Sequence, residues 1–137
     1  MTSEFTVAVH ALVCLNHKGT FLSSEELAKN ICTNPARVRK VMSKLKQAEL
    51  IETKEGIEGG YHFLREADDT TLYMVADAID FTFVSNGWKG RSAEKECLTA
   101  SGMADVMSDL YTDLNRECLD HLRKVTIADI DEKIFRG

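Results

Sequence analysis

The apolar positions fall at helical spacing through most of the chain, and at strand spacing in one short stretch near its middle. Phe5, Val9, Leu12, Val13 and Leu15 recur at mostly three- and four-residue intervals, which predicts a helix over residues 4–17 ending at the polar turn "NHKGT". Ser23, with Glu26 three residues later, is a capping box that satisfies two orphan backbone N–H groups at a helix start. Leu27, Ala28 and Ile31 give that short second helix its buried side, and it stops at "CTNP". Asn34 before Pro35 restarts a helix, since Asn is a favoured N-cap and the first helical position does not use the N–H that proline lacks. From Pro35 to about Ala48, a helical wheel puts Val38, Val41, Met42 and Leu45 on one side, with Ala36, Lys40, Ser43 and Gln47 opposite. Arg37 and Lys44 run along one edge of that outward face, and Arg39 and Lys46 along the other.

The period then changes. "LIETK" and "YHFLR" are strand-like, and the intervening "EGIEGG" supplies glycines suited to the positive φ of a tight hairpin. Helix, short helix, turn, basic helix and hairpin in that order predict a winged helix-turn-helix. Beyond it, "DDTTLYMVADAID" reads as a short capped helix. "FTFVSNGWKGRSAEKE" reads as an irregular connection in which Trp88 has no assigned place. A long helix follows from about Leu98 to Val125, with Met103, Met107, Leu110, Leu114, Cys118, Leu122 and Val125 in one stripe. That stripe is longer than one small domain readily covers. The same helix of a second chain is the natural lid in a homodimer, and packing on its own domain is the alternative. "TIADIDEKIF" reads as a last capped helical turn or two placed to tuck against the neighbouring chain. The expected fold is mainly α with a small β-hairpin wing. The expected division is a DNA-binding domain over 1–80, a connecting segment over 81–97, and a dimerisation helix with a C-terminal cap over 98–137.

Charge sharpens this picture. The 137 residues carry a net charge of −5, yet residues 1–65 hold nine Lys and Arg against seven Asp and Glu, and residues 66–137 hold eight against fifteen. Five cations and no anion lie between Arg37 and Lys46. A dense basic patch in an acidic chain suggests one face that meets a polyanion, the alternative being an ordinary solvated helix face. On a duplex, Arg37, Arg39, Lys40, Lys44 and Lys46 would neutralise phosphates and release counterions. In the major groove, Arg37, Arg39 or Lys40 would donate to guanine, and Ser43 or Gln47 would bond other base edges.

With 44% apolar residues, the chain can build a core without staples. It shows no stretch of 18 apolar residues and no signal-peptide pattern, so a cytoplasmic protein with reduced thiols is expected. Cys14, Cys32, Cys97 and Cys118 form no close-spaced pair. Cys14 and Cys118 fall on apolar stripes and are expected to pack as small core residues. Cys32 precedes the cap of the basic helix, a setting that favours the reactive thiolate, and Cys97 lies in the polar string "SAEKECLTAS". These two are the redox-sensing candidates, the alternative being that they too are small packing residues. His10 and His17 are seven apart on one helix with no third ligand, so no metal site is expected. No nucleophile elbow, phosphate loop or paired acid and base is present, so no enzyme is expected.

The strings "SSEELAKN", "VRKVMSKLKQAELI", "GIEGGYHFLR" and "TTLYMVADAID", followed by the long helix, resemble the Rrf-two family of bacterial transcription regulators, which includes IscR-, NsrR- and CymR-type proteins. The likeness covers nearly the whole chain, and its most specific part is Gly59-Gly60-Tyr61 followed ten residues on by Thr71-Leu72. The resemblance implies a homodimeric winged-helix repressor on a palindromic operator, with the Pro35 helix reading DNA and Met103, Met107, Leu110, Leu114, Cys118 and Leu122 at the dimer interface. Two departures matter. Relatives with an iron-sulfur cluster carry three closely spaced cysteines after the wing domain, whereas here Cys97 stands alone. The cluster-free branch is therefore expected, with no cofactor, and some of its members answer to oxidants through thiols. Glu55 also stands where relatives commonly place a minor-groove arginine, leaving Lys54 as the adjacent candidate. The rival reading is a winged-helix protein that has lost DNA binding and serves as a protein adaptor or small-ligand sensor.

Overall fold

In the computed structural model, which describes residues 3–85 and 98–136 (side chains of the second stretch from residue 102), the chain folds as two compact bodies. The first comprises residues up to 81 together with 122 onward; the second comprises 82–121. Trp88 and Cys97 lie outside the described residues.

The first body begins with α1 (Glu4–Lys18), α2 (Ser24–Ile31) and α3 (Pro35–Gln47). Each starts where a short polar side chain accepts a free backbone N–H. Ser3 Oγ accepts from Thr6, Ser23 and Glu26 close the reciprocal capping box, and Asn34 Oδ1 accepts from Arg37 N–H at 2.8 Å. Gly19 closes α1 in the left-handed region, with its N–H on Leu15 O. Cys32 closes α2 in the same conformation at φ 65°, its N–H on Ala28 O. The core unites Val7, Ala11, Leu12 and Leu15 of α1, Leu27 and Ile31 of α2, and Val38, Val41, Met42 and Leu45 of α3. All four of those α3 side chains are completely buried, which fixes the rotation of α3 about its axis.

Strands β1 (Ile51–Lys54) and β2 (Gly60–Phe63) pair antiparallel, with Ile51 opposite Phe63 and Lys54 opposite Gly60. The hairpin is stitched to the loop before α2 by reciprocal bonds, Leu22 N–H to Tyr61 O at 3.0 Å and Tyr61 N–H to Leu22 O at 2.8 Å. A 3-10 turn over Ala67–Asp69 leads to α4 (Leu72–Ala78), capped by Thr71.

The end of the chain differs from expectation. The helix α5 (Leu98–Leu122) is followed by α6 (Ile127–Phe135), nine residues rather than a turn or two, and α6 packs on α1 of its own chain. Thr126 and Asp129 form its capping box, Ile127 is fully buried, and Leu72 N–H bonds Val125 O while Ile127 N–H bonds Thr70 O. Residues from 122 onward thus belong with the wing-bearing body, not with residues 98–121 as the expected division had them. Leu122, grouped with the dimer stripe from its spacing, packs on this core for the same reason.

In the second body, Asn115 Oδ1 accepts backbone N–H groups of Phe83 and Val84, pinning residues 82–85 beside α5. Met103, Val106, Leu110 and Leu114 are exposed along α5, between 39% and 61% of their full surface. No described helix is long and apolar enough to cross a membrane.

Candidate nucleic-acid interface

With Val38, Val41, Met42 and Leu45 turned into the core, geometry leaves the opposite side of α3 outside. Ala36, Arg39, Lys40, Ser43, Lys46 and Gln47 are exposed, and Arg37 and Lys44 are half-buried along the edge. The structure therefore places all seven α3 candidates on or beside one outward face. A helix with small or polar residues at the centre of such a face and cations on its rim has the shape and charge for a major groove.

Sequence reasoning missed the anions that meet this rim. Glu4 Oε2 lies 3.3 Å from Lys40 Nζ, and Glu4 Oε1 lies 3.4 Å from Lys44 Nζ. Burial pushes the Glu4 carboxyl up, but Lys40 and Lys44 more than offset it and hold the group below its ordinary value of 4.5. Arg39 Nη1 lies 3.8 Å from Glu25 Oε2 and donates to Ser24 Oγ at 3.3 Å. Tyr61 stands in the same electrostatic neighbourhood: burial pushes its hydroxyl up, and Arg39 pulls the other way. No local signal could have shown these partners, since Glu4 and Lys44 are forty residues apart. Lys46 is exposed and forms no ion pair with a described residue.

The wing carries the opposite charge. Glu52, Glu55 and Glu58 are exposed on it, and Ile57 at its tip is completely open to solvent. Lys54 Nζ sits 5.6 Å from the centre of the Phe21 ring, which also stacks on His62, and His62 Nδ1 pairs with Glu52 at 3.1 Å. Lys54, the wing's candidate cation, is thus partly committed to an aromatic neighbour.

Of the redox candidates, Cys32 is exposed at the close of α2, two residues before the cap of α3, and Cys97 is outside the described residues. Cys14 and Cys118, expected as core residues, are both half-buried, and Cys14 packs against the core of the first body. Cys14 opens on a groove of about 1120 Å³ between α1, α2 and the end of α6. There its thiol donates to Asn30 Oδ1 at 3.0 Å, and His10 Nε2 meets the same oxygen at 2.9 Å. Burial pushes this thiol up, so it stays protonated. His17 stacks on Phe135 rather than joining His10. Among the described residues no three His, Cys, Asp or Glu side chains could hold a metal ion.

Comparison with known proteins bears on this geometry. The family described as "Rrf2: Iron-dependent Transcriptional regulator" matches residues 1–133. YwgB of Bacillus subtilis (strain 168), named by inference as an HTH-type transcriptional regulator, is 30% identical over 124 residues, which is 85% of this chain and 79% of that protein. A crystal structure from Lactobacillus plantarum, described by inference as a transcriptional regulator, superposes with a TM-score of 0.76 at 25% identity, covering 96% of this chain and 89% of that one. The oxidised form of Staphylococcus aureus CymR superposes with a TM-score of 0.66 at 16% identity, covering 96% and 94%. These last two similarities extend over both the wing and the long helix.

Proposed function

Because the chain belongs to the Rrf2 (Rrf-two) family of transcriptional regulators, we propose that it binds duplex DNA as a homodimer through α3 and represses transcription from a palindromic site. The observation that carries this reading is the fully buried Val38-Val41-Met42-Leu45 side of α3, which leaves its cation-rimmed side to solvent. Phosphates would be met by Arg37, Arg39, Lys40, Lys44 and Lys46, and base edges by Ser43, Gln47 and whichever of Arg37, Arg39 and Lys40 enters deepest. Lys54 is a phosphate contact on the wing. The solvent-facing α5 row supports dimerisation, with Met103, Met107, Leu110, Leu114 and Cys118 at the interface. A two-fold assembly places two copies of α3 on half-sites about one helical turn apart or a multiple of it. Such a protein works beside the chromosome, in the bacterial cytoplasm.

The test is binding to the DNA upstream of the protein's own coding region at fixed salt. Arg37→Ala with Lys40→Ala should weaken binding at least about thirtyfold, and Lys46→Ala about threefold to tenfold, with a shallower dependence on log salt for each cation removed. Unchanged affinity in both would remove α3 from the interface. A wild-type protein that binds no duplex even at low salt would favour the adaptor reading.

The signal we assign to this regulator is an oxidant acting at Cys32. Cys32 is exposed, and it holds the left-handed turn that hands the chain to the Asn34 cap, so a covalent change there bears directly on how α3 is presented. Its partner would be Cys97: two thiols lose two protons and two electrons to a peroxide, which leaves as water. The family neighbour CymR, whose oxidised form has been crystallised, gives this reading a parallel. Mild peroxide should produce a crosslinked species on nonreducing electrophoresis and change DNA affinity about tenfold or more, and Cys32→Ser should abolish both. Peroxide-treated wild type that stays uncrosslinked, with unaltered binding, would exclude the switch.

A further inference from the structure

Lys40, Lys44 and Arg39 of α3 already have carboxylate partners in the free protein. Glu4 holds Lys40 and Lys44 at 3.3 and 3.4 Å, and Glu25 holds Arg39 at 3.8 Å. Each acid stands in the first turn of its helix, α1 or α2, where the positive end of the backbone dipole favours a carboxylate. Neither position therefore needs α3 in order to keep an acid there. Exposure separates the partners of the first cluster: the Glu4 side chain is 27% exposed and that of Lys40 is 66% exposed. Glu4 sits behind the rim while the ammonium group remains reachable from solvent. Two ammonium groups on two oxygens of one anion also reproduce what a phosphate of the duplex would offer them.

We propose that Glu4 and Glu25 are internal stand-ins for DNA phosphates, displaced from Lys40, Lys44 and Arg39 when a duplex binds, and that they thereby hold down affinity for any duplex. The proposal rests on the DNA-binding reading of α3. A phosphate gains less from a cation that must first leave a carboxylate, so Lys40, Lys44 and Arg39 each contribute less than Lys46 to affinity for any duplex, whatever its sequence. That cost is the same on a cognate and on a random site, because base-edge bonds from Ser43 and Gln47 add to affinity without altering it. Glu4 and Glu25 are positioning residues that touch no base. Their effect is on both affinities alike.

The experiment measures full-length protein on a labelled random-sequence duplex of roughly 30 base pairs and on its own upstream DNA, across a salt series, with thermal melting to confirm folding. Glu4→Gln should tighten random-duplex binding about threefold to tenfold and Glu25→Gln about twofold to fivefold, each with a comparable gain on the upstream DNA. The Glu4→Gln gain should vanish in a Lys40→Gln, Lys44→Gln background. Glu132→Gln removes a carboxylate on α6 that pairs with none of these cations, and should do less than either. Should Glu4→Gln impair folding, Glu25→Gln carries the test through Arg39. Gains equal to that of Glu132→Gln, or gains that persist without the two lysines, overturn the proposal. If Lys46→Ala weakens binding but neither acid matters, the DNA-binding reading stands and this inference alone falls. If no variant and no wild-type protein binds either duplex, both fall together.

Discussion

In the dimer proposed above, replacing Leu110 and Leu114 together by lysine should leave only monomers and cut affinity for a two-half-site operator about a hundredfold or more, with the wing-bearing body still folded. The two leucines are solvent-facing on α5 in a row with Met103 and Val106, at spacings of three and four residues. Burying a leucine against a partner is worth about 1.5–3 kcal/mol, and a lysine pair in its place adds like-charge repulsion across a two-fold axis. The core cluster of the first body contains neither residue, so its unfolding transition should survive. Affinity falls because the second α3 no longer acts at the millimolar effective concentration that a linked partner provides. Sedimentation velocity gives the mass, and anisotropy on full and half operators gives the affinities. A variant that remains dimeric, or a wild type that is already monomeric, would remove α5 as the interface.

The second large effect falls on the wing. Gly60→Ala should cost about 2–4 kcal/mol in stability and weaken DNA binding at the same time, and Gly59→Ala should behave alike. Gly60 has φ 135°, a backbone conformation that other residues rarely adopt, and a Cβ there would run into the carbonyl of Leu22 and the backbone of Ser23. That Leu22 carbonyl is the one that accepts from Tyr61 N–H and ties the hairpin to the start of α2. At Gly59 a Cβ would strike the carbonyl of Lys54 on the opposite strand. Backbone cannot swing aside as a side-chain end does, so the hairpin must open or detach. Gly56, at φ 111° with open space around it, isolates the conformational part: Gly56→Ala should cost only about 1–2 kcal/mol. Equal losses at Gly56 and Gly60 in urea unfolding would show that the close approach to Leu22 is not what makes glycine necessary.

The wing also separates what a pattern conveys from what a surface does. The glycines in "EGIEGG" announced a hairpin, and the structure has one with its tip at Ile57. Its charges, Glu52, Glu55 and Glu58, were equally legible. What the string did not contain is that Lys54 lies over Phe21, because that ring belongs to the segment before α2 and reaches the hairpin only through the Leu22–Tyr61 pairing. The end of the chain makes the same point. A capping box at Thr126 was readable, yet α6 docks on α1 of its own chain because Ile127 and the Thr70–Ile127 hydrogen bond have a place in the first body.

Local rules were enough for the helices, their caps and the outward face of α3, because those features depend on residues three or four apart and on side chains that bond the backbone beside them. Asn34-Pro35, Ser23 with Glu26, and the buried quartet from Val38 to Leu45 are of that kind. Tertiary structure alone decided the electrical state of that face. Glu4 reaches Lys44 across forty residues, and Glu25 reaches Arg39 from another helix. Coulomb attraction depends on distance in space, and only packing α1 and α2 against α3 makes those distances short.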